Sequence, residues 1–266
     1  MSLTRHYLYS DIDGTLIAGH GPVSAENLAA IRQFVAEGGR FSIATGRSAA
    51  LAQPFLEGVP LNMPAILFNG AAVYDFAEQR YLHRWCISHA LSQRIVHTAL
   101  AIYPEACAEL CDEGPILLVN PDGIMDDYIV KEGQAHRRAS LDECGDCFKV
   151  LFYGDHERLL PVQRALSGPE FAEVVTCFSA PFYLEVLPAG ASKGEALRWI
   201  CADRGIDLAD VAAIGDYEND LAMILTAGLG AAPANAQPAV REAADAVVAP
   251  HTEHAVADLI CRYLMR

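Results

Sequence analysis

Asp11-Ile12-Asp13-Gly14-Thr15 follows directly on HYLYS, a run of strand-forming residues. Residues i and i+2 of an extended segment share a face, so both carboxylates can point to one site. Gly14 permits the tight turn that comes next. One carboxylate could attack a phosphorus centre while the other handles the leaving-group proton. A solvated strand end is the bland alternative for so short a motif. A second acidic stretch, Gly215-Asp216-Tyr217-Glu218-Asn219-Asp220, stands at the end of the apolar run VAAI and concentrates the hard oxygen ligands that Mg²⁺ requires. Asp216 and Asn219 could merely shape a turn and cap a helix. That reading does not explain why these acids gather at strand ends beside Asp11 and Asp13. Thr45 precedes Gly46 at another strand end, where a hydroxyl and free amides suit a phosphate. Lys193 is one of only three lysines. It stands at a helix N-terminus whose dipole does not favour it, so a ligand anion or the carboxylates account for it better.

The elements that must position these residues alternate between strand and helix. HYLYS, FSIAT and AILFN are short apolar strands, each ending in a polar or Gly-containing turn. They place Asp11, Thr45 and Asn69 on one rim, at the carboxyl ends where parallel sheets bind ligands. Ser24 caps a helix through about Glu37, with Leu28, Ile31 and Val35 on one face and Gly38-Gly39 as the stop. Residues 48–57 read as a helix interrupted near Pro54, and AAVYD with RYLHRW as a hairpin. After Pro188, Ser192 and Glu195 form a capping box that opens a helix with the stripe Leu197, Ile200 and Cys201, ended by Gly205. The strand VAAIGD, a helix from about Asp220 to Thr226, two short strands and a helix over roughly Glu253–Tyr263 complete this part.

Between them the pattern changes. A helix near Ser88–Ala101, the strands ACAELC and PILLVN, a charged helical stretch between Asp126 and Leu141, the strand CFKVLFY, a helix near Glu157–Leu166 and the strands EVVTCF and YLEVLP make an α+β segment with a largely antiparallel sheet. The expected architecture is an α/β core built from residues 1–82 and 188–266, with a second domain, 83–187, inserted into it.

The 266 residues are short of two ordinary domains but ample for a core, and 52% of them are apolar. Nineteen Lys and Arg against 34 Asp and Glu leave a charge of −15. Nucleic acid and anionic bilayers are thereby poor partners, because phosphate backbones are bound by Lys and Arg. No stretch approaches a membrane span, and MSLTRHYLYSD has no hydrophobic leader, so a cytoplasmic protein is expected. Eight cysteines in a chain of this length read as ordinary reduced thiols; a zinc site or redox pair at Cys107/Cys111 and Cys144/Cys147 is the alternative. His251 and His254 read as solvated histidines at a helix start, with a metal pair as the alternative, and Arg137-Arg138 as a solvated helix face, with contact to an anionic substrate as the alternative.

The ordered set Asp11-Ile12-Asp13-Gly14-Thr15, Thr45-Gly46-Arg47, Lys193-Gly194 and Gly215-Asp216 through Asn219-Asp220 closely resembles the haloacid dehalogenase superfamily of Mg²⁺-dependent phosphotransferases. The insertion resembles its type-IIB cap. Asn69-Gly70-Ala71, the KVLFY strand, LEVLPAGASKG and Gly230…Asn235-Ala236 resemble the Cof-type sugar-phosphatase branch. The resemblance implies a Rossmann-like parallel core. It implies Asp11 as the nucleophile that becomes an aspartyl-phosphate, and Asp13 as acid and then base, its carbonyl touching the metal. It implies Thr45 and Lys193 on the phosphate, and Asp216 as the third protein ligand of Mg²⁺. Asp220 would bind the metal through water or pair with Lys193, and Asn219 would support it. Gly46, Arg47 and Asn69 would line the substrate side, where the cap closes. Tyr217 departs from the small residue usual after Gly-Asp, and Ala249-Pro250-His251-Thr252-Glu253-His254 replaces an Asn- and Gly-containing turn.

The expected activity is hydrolysis of small phosphomonoesters, sugar phosphates in particular, by a monomer or weak homodimer. Within the superfamily the alternatives are a phosphohexomutase or a phosphatase of sucrose phosphate or mannosyl-3-phosphoglycerate. A non-catalytic phosphate-binding regulator is the alternative from another class, and it would be expected to have lost at least one of Asp11, Asp13, Lys193 or Asp216.

Overall fold

The computed structural model describes residues 4–19, 21–120, 122, 124, 126, 129–130 and 133–265. The chain divides into two compact units, Met1–His83 with Ser192–Arg266, and Arg84–Ala191.

With strands numbered in chain order, the first unit holds a parallel sheet of β1 (Tyr7–Ser10), β2 (Arg40–Ile43), β12 (Val211–Ile214), β13 (Leu229–Pro233) and β14 (Ala246–Val248). Their order is β14-β13-β12-β1-β2. Leu8 is in register with Ala212 on one side and Phe41 on the other. The chain leaves β1 toward β2 and returns to β12 on the opposite side, so the strand order reverses between β1 and β12. Such a switch point opens a crevice at the carboxyl ends of the strands. Leu8–Ser10, Phe41–Ile43 and Val211–Ile214 are buried without alternation, as strands covered on both faces must be. The helix Ala25–Ala36 packs on Ala255–Leu259, and Lys193–Arg204 packs on Leu221–Thr226. A parallel bridge from Ala44 to Ile66 leads to β3 (Ala65–Leu67), which pairs antiparallel with β4 (Ala72–Asp75); β5 (Arg80–Arg84) completes that small sheet.

Several local expectations hold, and some need correction. Ser24 caps its helix at the Asn27 N–H, 3.2 Å away, but the buried face is Asn27, Ala30, Ile31 and Phe34. Asn27 is buried because its amide donates to Leu16 O and its oxygen accepts from Ala257 N–H. The box at Ser192 is half made: Ser192 accepts from Glu195 N–H, whereas the Glu195 carboxylate takes Arg198 at 2.7 Å. The last helix is broken by His254, in a left-handed conformation with φ 64°, and it continues from Ala255. His254 Nδ1 meets Ser24 Oγ at 2.9 Å, so the two histidines are half-buried rather than solvated.

The second unit is a six-stranded sheet ordered β10-β11-β9-β6-β7-β8. Its strands are β6 (Cys107–Cys111), β7 (Ile116–Val119), β8 (His136–Arg138), β9 (Lys149–Tyr153), β10 (Val174–Ala180) and β11 (Tyr183–Pro188). All pairs are antiparallel except β7 with β8. Of the charged helix expected between Asp126 and Leu141, Ile129 and Val130 are helical, and the part from His136 onward is corrected. His136–Arg138 is an edge strand, Leu141–Glu143 is a single turn capped by Ser140, and residues 127, 128, 131 and 132 of that range lie outside the described residues. An exposed edge strand carries charge for the same reason as a solvated helix face, to keep its open side from pairing, so composition alone does not separate them. Arg137 and Arg138 pair with Glu143 and Asp122. All eight cysteines are free thiols, and Cys107 and Cys111 are buried on one face of β6.

That face also carries Glu109, in register with Leu151 and, across β9, Glu185. Lys149 Nζ lies 2.9 Å from Glu185 Oε2, while Glu109 Oε1 is buried with no hydrogen-bond partner among the described residues. Burial first, then the charges of Asp126 and Glu185, push the Glu109 carboxyl up to about 8 against the pull of Lys149. Cys107 and Cys111 lie near it as neutral thiols, pushed up to about 12 by burial. A carboxyl with a raised pKa in the folded protein stabilises the fold fully below its unfolded pKa of about 4.3 and loses that contribution as pH rises through 8. Glu109→Gln is therefore expected to be closest to wild type at pH 5 and to gain stability over it by pH 8.5, because the amide stays neutral where the buried carboxyl must ionise. Urea unfolding at the two pH values checks this; an equal effect at both would remove the titration.

Candidate active site

The site lies at the carboxyl ends of β1 and β12. Asp11 N–H donates to Ile214 O at 2.9 Å, which locks the first acidic motif to the strand that delivers the second. Gly14 then turns the chain at φ 78°, and a Cβ there would stand 2.5 Å from Asp216 Oδ2. Only glycine allows that approach. Thr15 Oγ1 donates to Asp216 Oδ1 at 3.0 Å.

Lys193 reaches these acids from the first residue of its helix and is fully buried. Its Nζ donates to Asp11 Oδ1 at 2.7 Å and to Asp220 Oδ1 at 2.5 Å. The helix start is seated against the turn after β3, where Phe68, Asn69 and Gly70 are all left-handed and a Cβ on Gly70 would lie 2.1 Å from Ser192 C. Consecutive strained residues of this kind mark a place where position matters more than local stability. Asp220 Oδ2 accepts from the N–H groups of Asp216 and Tyr217, at 2.9 and 3.1 Å. Both its oxygens are thus engaged, one by the lysine and one by the loop that carries Asp216.

Burial pushes Asp11 well above the usual carboxylate range; Lys193 opposes this, and Asp220, Asp216 and Asp13 add to it. Asp216 is pushed up to about 7, again by burial first and then by Asp220. Burial alone would lower Lys193, but Asp11 and Asp220 outweigh it and hold the ammonium charged. One ligand oxygen from each of Asp11, Asp216 and Asp220 lies within 4.8 Å of the others. With Asp13 there are four carboxylates against Lys193 and Arg47, a surplus of two negative charges. Hard oxygens with that surplus suit a divalent cation such as Mg²⁺.

Of the remaining expected residues, Thr45 is buried, accepts at its hydroxyl from Arg47 N–H at 3.2 Å, and accepts at its carbonyl from Asn69 N–H. Its hydroxyl proton stays available for an acceptor. Asn219 donates to Asn69 Oδ1 at 2.9 Å, beside Gly46. Asp13 places its carboxylate on Arg47, with contacts of 2.8 and 2.7 Å, and is not among the residues whose oxygens cluster. Thr15 and Asn235 stand in motifs that the sequence marks, but without a role of their own, and Phe55 stands in none. Asn235 donates to Gly14 O and accepts from His251 N–H, tying the turn after Asp13 to the end of β14. The places of Thr15 and Asn235 in their motifs are the signal for them; Phe55 carries no local signal.

A buried carboxylate held by a buried lysine, at the switch point of a parallel sheet, is the arrangement of an α/β enzyme. The haloacid dehalogenase-like hydrolase family matches residues 8–260, and the chain belongs to that family. It is 32% identical to an HMP-PP phosphatase of Serratia proteamaculans over 87% of this chain and 84% of that one. It is 30% identical to phosphatase YwpJ of Bacillus subtilis, over 94% and 96%. A haloacid dehalogenase-like hydrolase from Bacteroides thetaiotaomicron superposes with a TM-score of 0.84 at 26% identity, covering 97% of this chain and 99% of that one. The superfamily resemblance and the fold class, a parallel Rossmann-like core with an additional mixed sheet, are borne out. No helix among the described residues is long and apolar enough to cross a membrane.

Proposed function

We propose that the protein is a Mg²⁺-dependent phosphomonoester hydrolase of the Cof-type branch, acting on small phosphorylated metabolites, sugar phosphates in particular, through an aspartyl-phosphate. The observation that carries this reading is Lys193 bridging Asp11 and Asp220 beside Asp216. Asp11 Oδ1 is occupied by the lysine, which leaves Oδ2 to attack phosphorus as the bond to the leaving oxygen breaks. Asp13 gives that oxygen a proton, then takes one from the water that attacks the aspartyl-phosphate and releases inorganic phosphate. Lys193, Thr45 and Asn219 hold phosphoryl oxygens, with Gly46, Arg47 and Asn69 on the substrate side. Asp11, Asp216 and the Asp13 carbonyl would hold Mg²⁺, with Asp220 acting through Lys193 and the loop. The ion would offset the repulsion between an anionic nucleophile and an anionic ester. The unit Arg84–Ala191 selects the leaving group, and an acidic chain with few cations keeps polymers out.

The test is a panel of phosphorylated metabolites with Mg²⁺, ranked by kcat/KM, including sugar phosphates and, because one relative bears that name, HMP-PP. Phosphate release from small esters is the expected result. No turnover across the panel would make the chain a phosphate-binding module, and sugar-phosphate isomerisation without phosphate release would make it a mutase. Gly14→Ala forces a methyl group onto Asp216 Oδ2. It is expected to weaken Mg²⁺ binding about 10–100-fold, as displaced ligand support does, measured by titration calorimetry without substrate.

A further inference from the structure

Asp13 differs from the other acids of the site in having no buried anchor. Its side chain is 47% exposed, and among the described residues its carboxylate is bonded by Arg47 alone. The contact is a two-pronged fork, Nε on one oxygen and Nη2 on the other, the geometry that fixes a carboxylate's plane as well as its distance. Arg47 is only 12% exposed, and its guanidinium carbon lies 4.4 Å from the Phe55 ring centroid. Phe55 sits in the short helical turn Gln53–Leu56, so the platform under the guanidinium belongs to the fold. The Arg47 backbone is pinned as well, with its N–H on Thr45 Oγ1 and its carbonyl taking Phe68 N–H at 3.2 Å. Asp11 and Asp216 both carry like charge close by, and a half-exposed Asp13 without its fork would turn outward to water.

We infer that Arg47, braced on Phe55, is a positioning residue for Asp13. The full fork holds the carboxylate that takes the proton from water, and one prong on the unprotonated oxygen aims the carboxyl group while its other oxygen carries the proton for the leaving oxygen. The inference rests on the phosphatase reading above. It separates Arg47 from the residues that hold phosphate: its effect should depend on how much the leaving oxygen needs a proton. An aryl ester with an acidic phenol departs without help, whereas an alkyl ester does not.

The experiment measures kcat/KM with saturating Mg²⁺ for a series from 4-nitrophenyl phosphate through phenyl phosphate to a simple alkyl phosphate. The proteins are wild type, Arg47→Lys, Phe55→Ala, Asp13→Asn and Asp13→Asn/Arg47→Lys, each checked by circular dichroism and thermal melting. Arg47→Lys keeps the charge and loses the fork. Its cost on the alkyl ester should exceed its cost on 4-nitrophenyl phosphate by about 30–100-fold, at or below the lower end of what general-acid catalysis contributes. Phe55→Ala should show the same slope, weaker. The double variant should be no slower than Asp13→Asn alone, because a positioner has nothing left to position. A uniform loss across the series, or an additive double variant, would overturn the inference and leave Arg47 as a phosphate or substrate contact. An inactive wild type would instead sink the phosphatase reading, and the two failures cannot be confused.

Discussion

Asp11→Asn is expected to lower kcat for Mg²⁺-dependent phosphate release by about 10⁴-fold or more, the scale on which removal of a covalent nucleophile acts. The same substitution should leave the fold at least as stable. Asp11 is buried, its pKa is raised by that burial, and Asp220, Asp216 and Asp13 all repel its charge. An amide of nearly the same shape removes the repulsion while Lys193 keeps its partner Asp220, 2.5 Å away. The sign of the pH dependence follows. A carboxyl with a raised folded-state pKa supports the fold below its unfolded pKa and costs stability as pH climbs through the folded value. Wild type should therefore lose ground to Asp11→Asn as pH rises from 5 to 8. Thermal melts without Mg²⁺ across that range, paired with phosphate release with Mg²⁺, check both halves. Loss of activity together with collapse of the fold would make Asp11 a structural residue, and retained turnover would make it dispensable.

The acids and Lys193 were legible because each sits where a periodic rule applies: Asp11 and Asp13 at an i, i+2 spacing off a strand end, Asp216 after another apolar run, Lys193 where a helix dipole disfavours it. The strands that deliver them are short and uniformly apolar, a pattern with few competing readings. What escaped the sequence is tertiary. Asp13 and Arg47 are 34 residues apart, and nothing local says that the fork is spent on Asp13. The pairing of Asp220 with Lys193 is one of the expected alternatives. The bonds of its other oxygen to the Asp216 and Tyr217 N–H groups are not, because they need the turn after Gly215 to fold back on it. His136–Arg138 reads as helix in the sequence because edge strands and helix faces meet water with the same charged residues. Glu109 drew no attention because a glutamate in ACAELC looks like the polar half of an alternating strand; its burial depends on what crosses that face of the sheet.

Lys193→Met is expected to have the largest combined effect on stability and activity. The side chain is fully buried, its volume is nearly kept by methionine, and the ammonium is the only cation bonded to Asp11 and Asp220 among the described contacts. Removing it leaves buried carboxylates without compensation, which costs about 3–5 kcal/mol when one partner of a buried ion pair is deleted. Part of that cost should return on acidification, because Asp11 is already pushed toward its neutral form and loses its one opposing positive charge. Lys193→Met should thus be furthest below wild type at pH 8 and closest to it near pH 5. Asp220→Asn in the same chain should recover part of the loss at pH 8, since one of the two stranded charges is then gone. Turnover should stay low in both variants, because neither restores a positive charge beside the nucleophile and the phosphoryl oxygens. Urea unfolding of wild type, the two single variants and the double variant at both pH values, with phosphate release measured on each, closes the cycle. Strictly additive stabilities, or a deficit independent of pH, would mean that Lys193 serves the fold through packing rather than through charge.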